Sequence, residues 1–336
     1  MADESRVGVG REVSIREVPG VRIGQAEYPE GATGCTIVIA DQGMTAGVDV
    51  RGAGPASRET TLLDPLTSPK PIQAIMLAGG SAFGLDAAGG AMKYLESHGI
   101  GYDVGVTKVP LVAQSDLFDL PLGDPFIRPD GELGFAACVA SENGGNYQDG
   151  CFGAGTGATV GKLGGPERVM KSGIGSYAVK LDGLYVGAVV AVNAVGDVFD
   201  WRTGEQLAGV RGDGDQRFIS SAQLLYNRVA QPGSLFGQNT TIGVIITNAR
   251  LSRVQLTKVA GMAHDGMARS IKPVHTSADG DTLYAAAAGG PDGNGTIDAN
   301  LDAVGTLAAD VLSEAISQAV RSATSSFGIP AWRDIA

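Results

Sequence analysis

The run from Thr241 to Thr247 constrains the fold of this chain more than any other stretch. It is rich in β-branched residues and apolar, without the alternation of a strand that has one face in water. Such a run predicts a β-strand covered on both faces, as in layered α/β proteins. Residues 228–236, just before it, contain a Pro-Gly pair and no periodicity, which predicts an exposed loop.

A hydroxyl residue, Thr240, lies where this loop meets the strand. Breakage of the Asn239–Thr240 bond would give Thr240 a free α-amino group, whose unperturbed pKa is roughly 7.7 to 8.0. Thr240 would then hold both a nucleophile and a general base, as in N-terminal threonine hydrolases. In the uncut chain the same hydroxyl could attack the Asn239 carbonyl and form an ester that water opens. The competing interpretation is a plain turn, which an Asn-Thr pair before a strand usually makes.

Composition indicates a globular protein and argues against two classes of partner. The chain has 336 residues, 43% of them hydrophobic, so it can fill a substantial core, and its 51 glycines indicate close packing and tight turns. The net charge of -11 argues against nucleic acid and an anionic membrane, since neither attracts an acidic surface. No apolar run reaches the roughly 18 residues that span a bilayer.

The cysteines point to a reducing compartment. Cys35, Cys138 and Cys151 are an odd, widely spaced set without a CxxC pair, which fits free thiols better than disulfides or a zinc site. The first residues lack the cationic and apolar segments of a signal peptide. We therefore expect a cytoplasmic protein that holds no metal and no cofactor.

Periodicity predicts the other elements, and no repeat or long linker divides them. Strands are expected over 21–23, 36–40, 46–50, 72–77, 173–180, 185–195 and 283–288. Helices are expected over 85–95, 134–141 and 300–321, and another opens at a capping box formed by Ser252 and Gln255. Residues 1–17 are predicted to be a loose polar arm. The chain, 1–336, is thus predicted to be one α/β domain with a layered sandwich architecture.

Two glycine-rich segments match catalytic or phosphate motifs only in part. Ser81 lies between a strand and a helix, but a nucleophile elbow needs glycine at position 83, where Phe stands. Segment 153–162 would need glycine at 156 and a hydroxyl residue at 163 to be a P-loop. We therefore predict close packing of a helix on a strand through small residues at the first segment. At the second we predict a backbone that approaches another part of the chain closely, with Lys162 at its end.

Two polar features remain open from the residues alone. Asn193 interrupts an apolar strand, and because a buried amide has to find partners, it either pins an adjacent loop or serves the chemistry. The acidic cluster at 213–215 lacks the spacing and the closing glutamate of a calcium loop, so a solvated loop is predicted there.

Several ordered motifs together resemble one family. They are 19–24 (PGVRIG), 77–85 (LAGGSAFGL), 153–158 (GAGTGA), 239–242 (NTTI), 275–276 (HT) and 280–283 (GDTL). From about residue 18 to about residue 323 the chain resembles the self-cleaving aminopeptidases, which comprise L-aminopeptidase/D-amidase/D-esterases, β-peptidyl aminopeptidases and nylon-oligomer (6-aminohexanoate oligomer) hydrolases. Its Asn-Thr junction is most similar to that of the nylon-oligomer hydrolases.

The resemblance implies roles for residues at the junction and beyond it. Thr240 matches the nucleophile that cleavage after Asn239 would free. Asn193 matches the asparagine on the oxyanion side, and Lys162 matches a lysine near the nucleophile. A charged Lys162 would lower the pKa of the new amine by repulsion and keep more of it basic.

Three further positions follow from the same resemblance. Ser277 and Asp279 match the polar pair that holds the nucleophile and its amine; the pair is two aspartates in the nylon type and begins with serine in the peptidase type. Phe118 stands where relatives often carry a tyrosine that assists the oxyanion. Asn193 and backbone N–H groups are therefore expected to stabilise the developing charge.

The resemblance also implies an architecture and a reaction. It implies a four-layer αββα sandwich like the N-terminal-nucleophile hydrolases, self-processed into an α fragment (1–239) and a β fragment (240–336) that stay associated. Homo-oligomers of these αβ heterodimers, such as tetramers, are expected. The substrates would be linear aliphatic oligoamides, small peptides or amino acid amides. The alternative function is acyl transfer of the ornithine acetyltransferase type, whose members also self-cleave before a threonine.

Overall fold

The strands and helices follow one another along nearly the whole chain. A computed structural model describes residues 10–213, 217–230, 239–289 and 295–335. The strands in chain order are β1 (Arg11–Val13), β2 (Arg22–Tyr28), β3 (Thr33–Val50), β4 (Ala56–Arg58), β5 (Ile72–Ala78), β6 (Tyr102–Asp103), β7 (Lys108–Val109), β8 (Val112–Asp116), β9 (Thr159–Val160), β10 (Met170–Lys171), β11 (Ile174–Leu181), β12 (Leu184–Asn193), β13 (Asp197–Phe199), β14 (Gln206–Ala208), β15 (Val210–Arg211), β16 (Phe218–Ile219), β17 (Thr240–Thr247), β18 (Ile271–Lys272) and β19 (Thr282–Ala288). The helices are α1 (Ala87–Ser97), α2 (Gly131–Ala140), α3 (Ser221–Tyr226), α4 (Arg253–Ser270), α5 (Leu301–Arg321) and α6 (Trp332–Ile335).

Ten strands form the main sheet, and the long strand β3 joins its two halves. The order is β1-β11-β12-β17-β19-β3-β5-β8-β4, with β2 also paired to β3. The first part of β3 pairs with β2 and β5, whereas its second part pairs with β19. The parallel pairs of this sheet are β17 with β19 and β5 with β8. Most neighbours are therefore antiparallel.

Three clusters of buried apolar side chains pack on the main sheet, and two of them include helices. Helices α4 and α5 pack on each other and on strands of the β11–β19 half. Helices α1 and α2 pack on each other and against the β2–β5 half. The alternate side chains of both halves, among them Ile75, Val189 and Ile242, form the third cluster. All eight residues of β17 are buried, which confirms the prediction of a strand covered on both faces.

Helices α4 and α5 each begin with a side-chain cap. Ser252 and Gln255 form the predicted capping box at the start of α4. Asn300 caps α5, because its Oδ1 accepts hydrogen bonds from the backbone N–H groups of Asp302 (2.9 Å) and Ala303 (3.1 Å). These caps satisfy backbone donors that would otherwise lack partners within the helix.

Two sequence-based expectations are wrong. The strands predicted at 36–40 and 46–50 are one strand, β3, because its register with β5 shifts between Ile39 and Met44 and the chain continues through the irregularity instead of turning. The predicted loose arm is ordered over its described part, since β1 pairs with β11 and the apolar Val13 and Ile15 are buried. Two predicted loops fall partly outside the described residues, namely 228–236 at 231–236 and 213–215 at 214–215.

Candidate active site

Thr240 and Asn193 are direct neighbours across two strands. Thr240 is the first residue of β17 and Asn193 the last of β12, and the antiparallel register pairs them. Side chains of directly paired residues lie on the same face of a sheet, within about 5.5 Å at their Cβ atoms. Both residues are buried, Thr240 with 4% of its surface exposed and Asn193 with none. The structure therefore brings together the two residues that the sequence connects only by resemblance.

The carbonyl of Asn239 receives two hydrogen bonds. The backbone N–H of Gly280 donates to it over 2.9 Å, and the Thr240 hydroxyl also donates to it. A Cβ atom at position 280 would lie 2.8 Å from Thr240 Oγ1 and 2.7 Å from the Gly54 carbonyl oxygen, so only glycine fits between them. The bond expected to break thus has its carbonyl held by a backbone donor next to the proposed nucleophile.

Hydrogen-bond donors fix the orientation of the Asn193 amide. Lys162 Nζ donates to Asn193 Oδ1 over 2.6 Å, and the Thr159 N–H donates to the same oxygen over 3.1 Å. Because an ammonium and a backbone N–H group donate, the oxygen of the amide has to face them. Asn193 Nδ2 then donates one hydrogen to the Phe118 carbonyl over 2.9 Å. Its second N–H has no acceptor among the described residues.

Lys162 lies at the end of the glycine-rich segment, as predicted. Its Nζ also donates to the Asn193 carbonyl over 3.1 Å. Burial lowers the pKa of the Lys162 ammonium to about 7, although the carboxyls of Asp279 and Asp119 act in the opposite direction. A Cβ at Gly157 would lie 2.2 Å from the Ala32 carbonyl oxygen, which confirms the close backbone packing expected of this segment.

Asp279 lies beside the junction and is held by the preceding turn. It bridges to Asn239 in parallel register, and its Oδ2 accepts from the Thr276 N–H (2.8 Å) and hydroxyl (2.6 Å). Burial, followed by repulsion from Asp281, raises the pKa of the Asp279 carboxyl to about 6, whereas the hydrogen bonds from Thr276 oppose this rise. At pH 7 to 8 the carboxyl is therefore mostly ionised.

Ser277 makes no hydrogen bond to Thr240. It is exposed, and its side chain makes no hydrogen bond to any described residue, because the turn directs Thr276 rather than Ser277 at Asp279. The second acid of the site is Asp281, which the sequence reasoning missed. Its Oδ1 accepts from the Thr241 N–H over 2.8 Å, and its Oδ2 lies 2.8 Å from His275 Nδ1. Its spacing of two residues from Asp279 was the available signal.

A cavity of about 640 Å³ adjoins Lys162 and Phe118. Its described lining is mostly apolar and consists of Phe118, Asp119, Pro121, Leu122, Gly123, Thr159, Lys162, Gly165, Pro166, Val169, Phe327 and Ile329. Because Lys162 and Thr159 both donate to Asn193 Oδ1, the cavity borders the Asn193 amide. Its size lies within the range of small-molecule sites.

Asp119 is a buried acid of this cavity that the sequence reasoning did not single out. Its carboxylate accepts from the Gly80 N–H (2.7 Å) and the Thr33 hydroxyl (2.7 Å). Burial raises its pKa to about 6 against these hydrogen bonds. The acid therefore ties the Gly80 turn to β3, and it also carries negative charge near Lys162.

Outside this site, the described residues show no second group of this kind. Ser81 has a positive φ of 55°, and its hydroxyl makes no hydrogen bond to a described base. Among the described residues, no three His, Cys, Asp or Glu side chains cluster so that they could hold a metal ion. No helix within the described ranges is long and apolar enough to cross a membrane.

The chain is similar to known amide hydrolases over most of its length. A family model described as peptidase family S58 matches residues 14–331. An uncharacterized aminopeptidase of Mycobacterium leprae is 39% identical, with 95% of this chain and 93% of that protein covered. A 6-aminohexanoate-oligomer endohydrolase of Paenarthrobacter ureafaciens is 32% identical, with 92% of this chain and 86% of that protein covered.

Solved structures share the fold at lower identity. A β-aminopeptidase of Burkholderia sp. has a TM-score of 0.66 at 21% identity, with 98% and 96% of the two chains covered. The L-aminopeptidase D-Ala-esterase/amidase of Ochrobactrum anthropi, described as a variant of the Ntn-hydrolase fold, has a TM-score of 0.64 at 20% identity, with 94% and 88% covered. The mixed α/β fold is therefore similar to that of Ntn-hydrolase-like aminopeptidases.

Proposed function

The chain belongs to peptidase family S58 and is an amide hydrolase, and we propose that its nucleophile is Thr240, freed by self-cleavage after Asn239. The observation that carries this proposal is the Asn239 carbonyl, which accepts from the Gly280 N–H over 2.9 Å and from the Thr240 hydroxyl. A backbone donor on the carbonyl of the bond to be broken is what an oxyanion hole requires.

Self-cleavage proceeds in two steps. Thr240 Oγ1 attacks the Asn239 carbonyl carbon, and the charge that develops on its oxygen is stabilised by the Gly280 N–H. The C–N bond breaks, the nitrogen gains the proton that the hydroxyl loses, and an ester joins the two residues. Water then hydrolyses the ester and leaves an Asn239 carboxylate and a Thr240 with a free amine.

Turnover uses the new N-terminus. The neutral amine of Thr240 accepts the proton of its own hydroxyl, which attacks the amide carbonyl of the substrate. The second N–H of Asn193 Nδ2 stabilises the oxyanion, and Lys162 holds that amide in the required orientation. The leaving amine takes the proton, and water hydrolyses the acyl-enzyme. Asp279 orients the Thr240 amine and stabilises its protonated form.

Relatives of this chain support two substrate classes. The relatives include proteins named as aminopeptidases and as 6-aminohexanoate-oligomer endohydrolases. We therefore propose small peptides, amino acid amides or linear aliphatic oligoamides as substrates. Acyl transfer of the ornithine acetyltransferase type is not favoured, since both groups of relatives are named for hydrolysis.

The proposal extends to architecture and assembly. Two helix pairs, each packed on one half of the strands, and a third apolar cluster between the halves support an αββα sandwich formed by a single domain. After cleavage, fragments 1–239 and 240–336 remain associated, because β17 pairs with β12 of the first fragment. We also propose homo-oligomers of the αβ heterodimer. The three free cysteines support a cytoplasmic location.

One experiment tests the activity and its alternative together. The purified protein is resolved by denaturing electrophoresis and mass spectrometry, and it is assayed with aminoacyl p-nitroanilides, aminohexanoate oligomers and acetyl-ornithine with a glutamate acceptor. We expect two fragments meeting at the Asn239–Thr240 bond, and amide hydrolysis without acetyl transfer. An uncut chain that hydrolyses amides would remove Thr240 as an N-terminal nucleophile, whereas acetyl transfer alone would establish the alternative.

A further inference from the structure

A two-residue turn near the C-terminus places an aromatic ring at the cavity. Ser326 and Ile329 exchange both backbone hydrogen bonds, of 3.2 and 2.9 Å, so Phe327 and Gly328 form the loop between them. Both loop residues have positive φ, 52° and 73°. Positive φ at both central residues is what a type I′ turn requires, and Asn, Asp and Gly favour it.

Phe327 is an unusual residue for this conformation. A second turn of the chain, Asp182–Gly183 between β11 and β12, has φ values of 46° and 87° and uses the residues that such turns favour. A bulky aromatic residue in the left-handed region is a genuine outlier and is strained. Strained residues persist where the surroundings hold them, and they concentrate at ligand-binding sites.

The surroundings of Phe327 hold it at the cavity. Phe327 and Ile329 line the cavity together with Phe118 and Val169, whereas Phe327 keeps 53% of its surface exposed. The segment that follows is anchored, since the Pro330 carbonyl accepts from the Lys171 N–H over 2.9 Å and Ala331 is buried. A half-exposed ring on a fixed turn is therefore available to a molecule that enters the cavity.

We propose that Phe327 is a specificity-determining residue that forms the outer wall of an apolar subsite for the acyl side chain of the substrate. The inference rests on the proposed amide hydrolysis. The acyl portion is assigned because it is the only apolar portion that amino acid amides, peptides and aliphatic oligoamides all share. Phe118, Val169 and Ile329 complete the apolar wall, and Lys162 marks the end next to the reacting carbonyl.

The test replaces Phe327 by the residue that its turn favours. In Phe327→Asn the strain is relieved, so Tm should rise by about 1 to 3 °C. The kcat/KM for leucyl and phenylalanyl p-nitroanilide should fall about tenfold, and that for glycyl p-nitroanilide should change less than about twofold. Phe126→Asn is the matched control, because Phe126 is 82% exposed and does not line the cavity. It should leave the preference among these substrates unchanged.

Each other result has a definite meaning. Unchanged kcat/KM values in Phe327→Asn, or an equal fall for all three substrates, would overturn the subsite. A change of oligomeric state in size-exclusion chromatography without a change in substrate preference would assign the ring to a contact between copies instead. Inactivity of the processed wild-type protein toward all three substrates and toward aminohexanoate oligomers would refute the proposed function itself.

Discussion

Strand β17 has an adjacent asparagine and threonine at each end, Asn239–Thr240 at the near end and Thr247–Asn248 at the far end. At the far end both side chains make hydrogen bonds within the protein. The Thr247 hydroxyl donates to the Tyr185 carbonyl over 2.7 Å. The Asn248 side chain accepts from the Tyr185 N–H over 2.8 Å and donates to the Gly183 carbonyl over 3.0 Å. These hydrogen bonds join the strand to the β11–β12 turn and give the polar groups of Thr247 and Asn248 partners within the protein.

The near end has the same residue types with their hydrogen bonds incomplete. Asn239 Oδ1 and the Thr241 hydroxyl are buried and have no hydrogen-bond partner among the described residues. The Thr240 hydroxyl donates to the carbonyl of its own neighbour. A buried polar group left without a partner costs about 1 to 3 kcal/mol, so the hydrogen bonding of the near end stabilises the fold less than that of the far end. The contrast shows that the two ends differ in how completely their side chains are hydrogen-bonded and not in residue type.

Replacing one threonine at a time tests the difference between the two ends of β17 most directly. Thr240→Ala should abolish both cleavage and hydrolysis, because it removes the nucleophile of both steps. Thr247→Ala should keep both activities and lower the free energy of unfolding by about 1 kcal/mol through its lost hydrogen bond. Electrophoresis, intact mass and p-nitroaniline release measure these outcomes. Two fragments in Thr240→Ala would remove Thr240 from the processing step.

A second variant moves the backbone donor of the near end. In Gly280→Ala the new Cβ would lie 2.7 Å from the Gly54 carbonyl oxygen, so the Gly280 N–H has to shift away from the Asn239 carbonyl. Cleavage should slow by about a hundredfold or more, as measured by the time course of fragment appearance. Gly183→Ala at the far end is the control, since no atom lies within 4 Å of its added Cβ. It should cost stability at its positive φ and leave the cleavage rate unaltered.

Asn193, which pairs with Thr240 at the near end, and Asn248 at the far end give a third, smaller contrast. Asn193→Ala should lower kcat of the processed enzyme by roughly a hundredfold, because one oxyanion donor is lost. Asn248→Ala should reduce Tm but leave kcat within about twofold. Steady-state kinetics and thermal unfolding separate these effects. If Asn193→Ala changed only Tm, the amide would be a loop anchor, as the first interpretation of the sequence allowed.

The sequence predicts those parts of the fold that local pattern controls. The apolar run of β17, the capping box of Ser252 and the helical periodicity of α5 depend on residues close together in the chain, and the structure confirms them. The continuity of β3 could not be predicted. The chain continues through Gly43 without turning because both β19 and β5 pair with the strand. Such pairings join residues far apart in sequence.

The candidate site shows the same limit. Thr240, Asn193 and Lys162 were identified through resemblance, and the structure brings them together. The exposure of Ser277 and the contact of Asp281 with the Thr241 N–H depend on how one turn folds against β17, which residue types alone do not determine. The pKa of Lys162 was likewise inaccessible, since it follows from the burial of that side chain.

The smallest expected effects concern pH, and they test whether the Thr240 amine is the base. The kcat/KM should rise with pH through the pKa of this amine, which is roughly 7.7 to 8.0 for an unperturbed α-amino group. Since Asp279 has a pKa of about 6, it is ionised in this range and favours the protonated amine. Asp279→Asn should therefore shift the midpoint downward, by about one pH unit.

Lys162→Met should shift the same midpoint upward, because a positive neighbour disfavours the protonated amine. The shift should be only about a few tenths of a pH unit, since the Lys162 pKa of about 7 leaves this side chain mostly neutral near pH 8. Both variants are assayed after mass spectrometry has verified complete cleavage, because an uncut chain has no amine at Thr240 to titrate. Asn248→Ala, at the bonded end of β17, should keep the wild-type midpoint. If Asp279→Asn and Lys162→Met also kept the wild-type midpoint, another group would activate the Thr240 hydroxyl. The same would follow if replacement of His275 moved the midpoint instead.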